Sequence, residues 1–336
     1  MTGDLSASER EAVVAEANRA PSVHNVQPVR WAFEPSLVRL RLDSARGLPV
    51  GDPKGVDAAF SLGCALEGTR IALARRGLGS EVEFGADEVG ATATLRLRPS
   101  ILAERKSAER DHERMERRRT HRLGFAVASN DDREALWDWA DRRPDVALAV
   151  EPDTIGELAT LNDAASLRFF RDDAYRAELV RWMRLDRRAP GAIRDGLSAA
   201  SLGMGGLVAK LAGLALSGRM FPLLDRLGLS GGMVSERKAT IGSAGIAAVT
   251  MDSSSDRPRA DAEAGAAFLR ATLELVGLGH QTWPMGVLVD DDEARERTKH
   301  LLELPRDREP RIVFRIGRPK GVAAPAARLP ASELID

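Results

Sequence analysis

The 336-residue chain has a single cysteine, Cys64, so it cannot form an internal disulfide, and that scarcity suits a reducing cytosol. It has almost no net charge, −1 with histidine neutral, so nothing global draws it to nucleic acid or to an anionic membrane. The opening MTGDLSASEREAVV has neither the basic nor the apolar segment of a secretory leader, and no signal peptide is expected. A membrane span needs about 18 uncharged apolar residues. The longest candidate, residues 196–209, is shorter, rich in glycine and followed by Lys210. A soluble cytoplasmic protein is the expectation. The five histidines (His24, His112, His121, His280 and His300) have no metal-ligand spacing, so no metal site is expected. HExxH, the P-loop and GxGxxG are also missing, which argues against a zinc protease, a nucleotide phosphate loop and a Rossmann NAD site.

What is present reads as an ordinary globular chain, 43% hydrophobic and 29% charged, long enough for one large domain or two medium ones. Ser6 and Glu9 have capping-box spacing and predict a helix to about Asn18. Pro21 and Pro28 end helical structure. Residues 29–33 alternate like a strand, with 38–42 as hairpin partner. A helix is predicted over 56–76, with Leu62, Leu66, Thr69 and Leu73 on one face and Gly77 as its cap. Cys64 falls mid-helix among apolar neighbours, as a core thiol would. Strands follow near 81–84 and 91–97. Residues 104–122 are dominated by charge and join two globular patterns, so they mark the boundary between a first half, 1–112, and a second, 113–336. The second half reads as a helix (131–141), a strand (146–150), helical structure (155–185), a strand (244–251), a helix (260–276), a strand (287–289), a helix (291–303) and a strand (312–316). Between them, residues 187–235 are rich in Gly, Leu, Ala and Met and read as an insertion of short apolar helices. That insertion suits a lid, extra core packing or, as a third reading, a membrane-surface contact.

A faint repeat accompanies this pattern. Residues 76–79 and 276–279 each place Gly-Leu-Gly after a helix, and each helix has an upstream glycine, Gly63 or Gly265. Four segments offer ligand chemistry. Residues 20–28, between two prolines, present Ser22, Asn25 and Gln27, which suit the edge of a polar heterocycle and equally a plain turn. Residues 117–122, Arg-Arg-Arg-Thr-His-Arg, can neutralise a phosphate dianion or form the solvated end of a charged helix. Residues 277–284 bring glycines next to Thr282 and Trp283, as a close backbone approach or a cap with a core tryptophan would. The tail, Gly317-Arg318-Pro319-Lys320 and then Arg328, can return basic groups to a phosphate or fray.

Taken in order, these segments resemble the nitroreductase superfamily of flavoproteins, and its Acg-like branch most. Members carry an Arg-x-Ser-x-Arg/Lys motif for the FMN phosphate; Arg118 to Arg122 is similar, with Thr120 in place of Ser and His121 where Asp is frequent. They carry a Pro-Ser-x-x-Asn-x-Gln-Pro-Trp loop; residues 21–28 match it, with Val29 where Trp is usual and Trp31 two positions on. A Gly-Leu-Gly segment near flavin N5 and a Gly-x-Pro terminus with a basic residue complete the pattern. The resemblance implies an α+β fold, a nitroreductase-like fold duplicated in one chain as a pseudo-dimer, with central mixed sheets flanked by helices and an inserted helical lid at 187–235. In two-subunit members the loop and the phosphate motif come from different subunits. Here the loop occurs only in the first half and the phosphate motif only in the second, which implies one FMN site and a monomer. The implied contacts are Pro21, Ser22 and Asn25 on the ring, Arg118, Thr120, Arg122 and Arg328 on the phosphate, and backbone at Thr282 and Trp283 near N5. The implied activity is ping-pong hydride transfer from NAD(P)H through flavin N5 to a nitroaromatic, quinone or other small acceptor. The alternative is an FMN-sequestering protein with a shielded flavin. No side-chain acid or base is assigned, and the partner is a small molecule, not nucleic acid or a membrane.

Overall fold

The computed structural model describes residues 5–186 and 193–336. The chain opens with α1 (Ala7–Ala17), then β1 (Val29–Glu34), β2 (Leu37–Leu42), α2 (Val56–Arg75), β3 (Leu78–Ala86) and β4 (Ala91–Pro99). Next come α3 (Leu102–Arg117), α4 (Asn130–Asp141), β5 (Val146–Ala149), α5 (Pro152–Arg171) and α6 (Asp173–Trp182). A short parallel pair, β6 (Met183–Arg184) and β7 (Leu197–Ser198), leads to α7 (Gly206–Ala215), α8 (Met220–Arg226), α9 (Ser230–Val234) and α10 (Arg237–Ile241). The chain continues with β8 (Gly245–Asp252), α11 (Arg257–Gly277), β9 (Gln281–Pro284), α12 (Val287–Asp290), α13 (Asp292–Leu301) and β10 (Arg308–Gly317).

Local chemistry sets the element ends. The Ser6 hydroxyl accepts from the Glu9 N–H, and the Glu9 carboxylate accepts from the Ser6 N–H at 2.8 Å, so the predicted capping box starts α1. Gly77 follows α2 at φ 82°, a left-handed turn that glycine adopts without a Cβ clash.

Among the described residues the strands build two four-stranded sheets, ordered β1-β2-β4-β3 and β5-β8-β10-β9. Setting β5, β8, β9 and β10 against β1, β2, β3 and β4 makes the two orders identical. Each sheet also has its long helix at the same point, α2 before β3 and α11 before β9. The fold is therefore duplicated within one chain. All pairs inside the two sheets are antiparallel, and parallel pairing enters at their edges, where Ile335 bridges Trp31 and Thr120 bridges Thr282.

The halves meet where α2 crosses α11. A Cβ on Gly63 would lie 1.7 Å from the Ala262 carbonyl oxygen, and one on Gly265 would lie 1.9 Å from that of Phe60. The two upstream glycines are thus reciprocal contact points that let two backbones touch. They also set the register of the repeat. Gly63 and Gly265 are 202 positions apart, and so are the left-handed Gly77 and Gly279. The Gly-Leu-Gly triplets are 200 apart, so they resemble one another without being structurally equivalent.

One core lies between the first sheet and α1–α2, with Trp31, Leu40, Leu62, Leu66 and Leu95 inside. The second sheet is covered on both faces. Ala247, Val249 and Phe314 face α11, while Ile246, Ala248 and Val313 face α5, α12 and α13. This explains why β8 reads as a continuous apolar run, and β1 and β2 as alternating ones.

Two expectations about the strands change. Residues 287–289 are the helix α12 and not a strand. Sheet pairing ends at Met285, whose N–H reaches the Val313 carbonyl at 2.7 Å, and the chain then turns helical. The strand beside β10 is β9, whose four residues have too little apolar pattern to announce it. The division at 112 falls inside α3, which runs unbroken to Arg117 and packs on both α2 and α11. Of the expected lid, residues 187–192 lie outside the described residues; the rest is β7 and α7 to α9. Among the described residues no single helix is long and apolar enough to cross a membrane, and α7 and α8 are bent by 81° to one another.

Candidate functional site

A cavity of about 430 Å³ opens where the two halves share a wall. The first half contributes Arg19, Pro21, Ser22, His24 and Asn25. The end of α3 and the segment after it contribute Arg118, Arg119, Thr120 and Arg122. Arg328 comes from the tail, and Gly196, Leu197 and Ser201 from the insertion.

The loop from Pro21 is held in an unusual backbone. His24, Asn25 and Gln27 have φ of 43°, 57° and 53°, left-handed values that cost a residue with a Cβ about 1–2 kcal/mol each. Local hydrogen bonds offset this. The Ser22 hydroxyl accepts from the Gln27 N–H at 3.0 Å. The Gln27 side-chain oxygen accepts from Asn18 and from the Leu329 N–H, both at 2.8 Å. Asn25 is a hub: its amide donates to the carbonyls of Gly196 (3.1 Å) and Ala327 (3.0 Å), and its oxygen accepts from Arg328. Ser22 and Asn25 therefore line the cavity, and both are already engaged in building it.

The opposite wall is cationic. Glu116 is the one carboxylate among the lining residues, and Arg19 pairs with it at 2.8 Å. Arg118, Arg119, Arg122 and Arg328 have no carboxylate within ion-pair distance among the described residues. The Arg19 carbonyl accepts from both Arg118 (3.1 Å) and Arg328 (3.0 Å), which brings the two guanidinium groups together. Each still has a buried Nε–H with no acceptor. Burial pushes Arg118 and Arg122 down to about 10. It pushes Arg328 down to about 9, with repulsion from Arg118, Arg119 and Arg19 adding to the effect. His24, at the same wall, is pushed down to about 4, first by burial and then by Arg122, so its imidazole is neutral at pH 7. A neutralising anion is what this set of groups lacks.

The arginine segment is positioned by β9. The Gln281 side chain accepts from the Arg119 N–H at 2.7 Å and donates to the Arg117 carbonyl at 3.0 Å. The His121 N–H reaches the Thr282 carbonyl at 2.9 Å. Thr282 and Trp283 do not line the cavity. Thr282 pins the arginine segment from behind, and the Trp283 ring lies 4.4 Å from the buried Arg315 guanidinium. His121 also turns away from the cavity, to the Gly124 carbonyl at 3.0 Å, and does not line it. Arg318 pairs with Asp132 at 2.6 Å. Residues 228–232 have the Gly-x-Ser-x-Gly spacing of a hydrolase nucleophile turn, but no strand precedes them and Ser230 hydrogen-bonds Asp225.

No family model matches the chain. The protein named NAD(P)H nitroreductase acg in Mycobacterium tuberculosis is 33% identical over 184 residues, which cover 51% of this chain and 53% of that one. The chain thus spans about half the length of the curated relatives it matches. A solved structure from Anabaena variabilis, also named as a nitroreductase, superposes with a TM-score of 0.52 at 11% identity, over 95% of this chain and 90% of that one. The chain is thus similar in sequence to the acg protein over about half of its length, and it shares the fold of the Anabaena structure. Arg19, His24 and Arg119 are wall residues that motif matching passes over. Arg19 directly precedes the loop and Arg119 lies inside the phosphate-type motif, so both had a signal in their positions. His24 had none apart from its place between Ser22 and Asn25.

Proposed function

We propose that the cavity holds one FMN and that the chain is an FMN-dependent NAD(P)H oxidoreductase of nitroreductase type, acting on nitroaromatics, quinones or other small acceptors. The observation that carries this is the group of buried and half-buried arginines with no carboxylate partner among the described residues, with the unmatched Nε–H of Arg118 and of Arg328. A phosphate dianion supplies both the charge and the acceptors they lack. When bound, the flavin supplies the hydride chemistry, and the protein supplies binding and electrostatics. Arg118, Arg122 and Arg328 hold the phosphate with help from Thr120. Pro21, Ser22 and Asn25 form the facing wall, which comes from the other half of the fold. Thr282 acts from behind by fixing residues 120 and 121. The chain works as a cytoplasmic monomer, because the interface that two subunits share is internal here.

A second reading, an FMN-holding protein with little turnover, is favoured by the way the insertion is tied down. Asp195 pairs with Arg46 and Arg184, each at 2.6 Å, Gln27 donates to the Arg194 carbonyl at 3.0 Å, and Asn25 to that of Gly196. Anaerobic titration of FMN-loaded protein with NADPH and NADH separates the two: bleaching of the flavin band supports the oxidoreductase, and an unchanged band the holding protein. For the site itself, Arg118→Glu is expected to weaken FMN binding at least about a hundredfold, since it removes a charge-assisted contact and adds repulsion. Unchanged FMN affinity in that variant would refute the phosphate assignment.

A further inference from the structure

The insertion presents a face built opposite to that of an ordinary surface helix. α7 turns its small residues inward: Ala209 is fully buried, and a Cβ on Gly213 would sit 3.5 Å from Leu185 Cδ1. Its large side chains face outward. Leu207 is 72% exposed, Leu211 56% and Leu214 57%, and their spacing puts them on one stripe that Val208 widens. After the bend, Leu223, Leu227 and Leu229 are exposed too, while Phe221 anchors α8 inward against Phe170 and the Arg176 guanidinium. A run of this many exposed leucines is more than the isolated apolar side chains a soluble surface usually tolerates.

The charges on this face have one sign. Between residues 199 and 235 the charged side chains are Lys210, Arg219, Asp225 and Arg226. Asp225 is occupied by Arg171 at 3.0 Å and by Ser230. Lys210, Arg219 and Arg226 are exposed and make no ion pair among the described residues. Within residues 199–235 the unpaired charges that flank the apolar stripe are thus all cations.

We propose that the α7–α8 face docks on the surface of an anionic phospholipid bilayer. The leucines enter the boundary between head groups and acyl chains, and Lys210, Arg219 and Arg226 meet the lipid phosphates. With only ten residues in α7 and an 81° bend to α8, the pair lies along the surface and does not cross it. A second copy of the chain fits less well, because pairing the face with itself sets like charges against each other.

The test is sedimentation of the purified full-length protein with vesicles, either pure phosphatidylcholine or phosphatidylcholine with phosphatidylglycerol, alongside light scattering in solution. The protein is expected to pellet with the anionic vesicles and to be released by high salt. Lys210→Gln and Arg219→Gln should each weaken binding by about fivefold at low salt. Leu211→Asp with Leu214→Asp should weaken it more than tenfold while the thermal midpoint holds, since both side chains point to solvent. The proposal is overturned by any of three results: no pelleting with anionic vesicles, equal pelleting with pure phosphatidylcholine, or a double aspartate variant that binds like the parent. A concentration-dependent dimer that the aspartates abolish, with no vesicle binding, would assign the face to a second copy. None of these readouts requires flavin, so failure here leaves the proposed activity standing.

Discussion

α2 and α7 each carry a glycine inside the helix, Gly63 and Gly213, and the surroundings of the two differ completely. In α2, Gly63 lies against the backbone of α11, and Leu62, Leu66 and Leu73 are buried around it. In α7, Gly213 faces only the end of one leucine side chain, and the leucines of the helix point to solvent. Similar residues thus serve two ends. Where another helix arrives, a small residue allows backbone contact and the large ones close the core around it. Where the covering layer reaches only the small side, the large residues stay exposed.

Substitutions can break or sharpen this contrast. Gly63→Ala should have the largest effect, because the new methyl would sit 1.7 Å from a carbonyl oxygen and two helices must separate. Overpacking of this kind costs up to about 3 kcal/mol, occasionally more, and we expect that upper end in urea unfolding. A loss below about 1 kcal/mol would mean that the crossing is not what clamps the halves together. Next comes a matched pair. Leu66→Ala should cost about 2–5 kcal/mol by creating a core cavity. Leu211→Ala should stay within about 0.5 kcal/mol. Equal losses would show that α7 is covered after all. The smallest effect has the opposite sign: Gly213→Ala meets only ordinary contact and improves helix propensity, so it should stabilise by about 0.5–1 kcal/mol.

What was legible in the sequence follows the same division between local and remote causes. The Ser6–Glu9 capping box, the α2 stripe and the β1–β2 alternation are written within a few residues, and each forms where its pattern predicts. β9 is not legible, because Gln281 to Pro284 become a strand through pairing with Phe314 to Gly317 and not through a pattern of their own. Residues 287–289, apolar and β-branched at both ends, look like a strand but form a helical turn after Met285 leaves the sheet. The cavity was half legible. Its arginines and its Pro21 loop stand out as motifs, and the fold brings them together. The engagement of Ser22 and Asn25 with the protein itself, and the retreat of Thr282 and Trp283 behind the wall, depend on bonds across as many as 303 positions, which no local spacing encodes.

The edge of the first sheet has a consequence for how the chain comes to be folded. β1 hydrogen-bonds to residues at the far end of the sequence: the Trp31 N–H reaches the Leu334 carbonyl at 2.8 Å, and the Asp336 N–H reaches that of Trp31 at 2.9 Å. Asp336 also pairs with Arg30, 306 positions away, and with Arg41. On the ribosome, therefore, β1 waits with an open edge until residues 306 positions after Arg30 have been made. Such edges recruit strands from neighbouring chains. The first half closes only then, and the interval before its closure exposes a nascent chain of this design to aggregation.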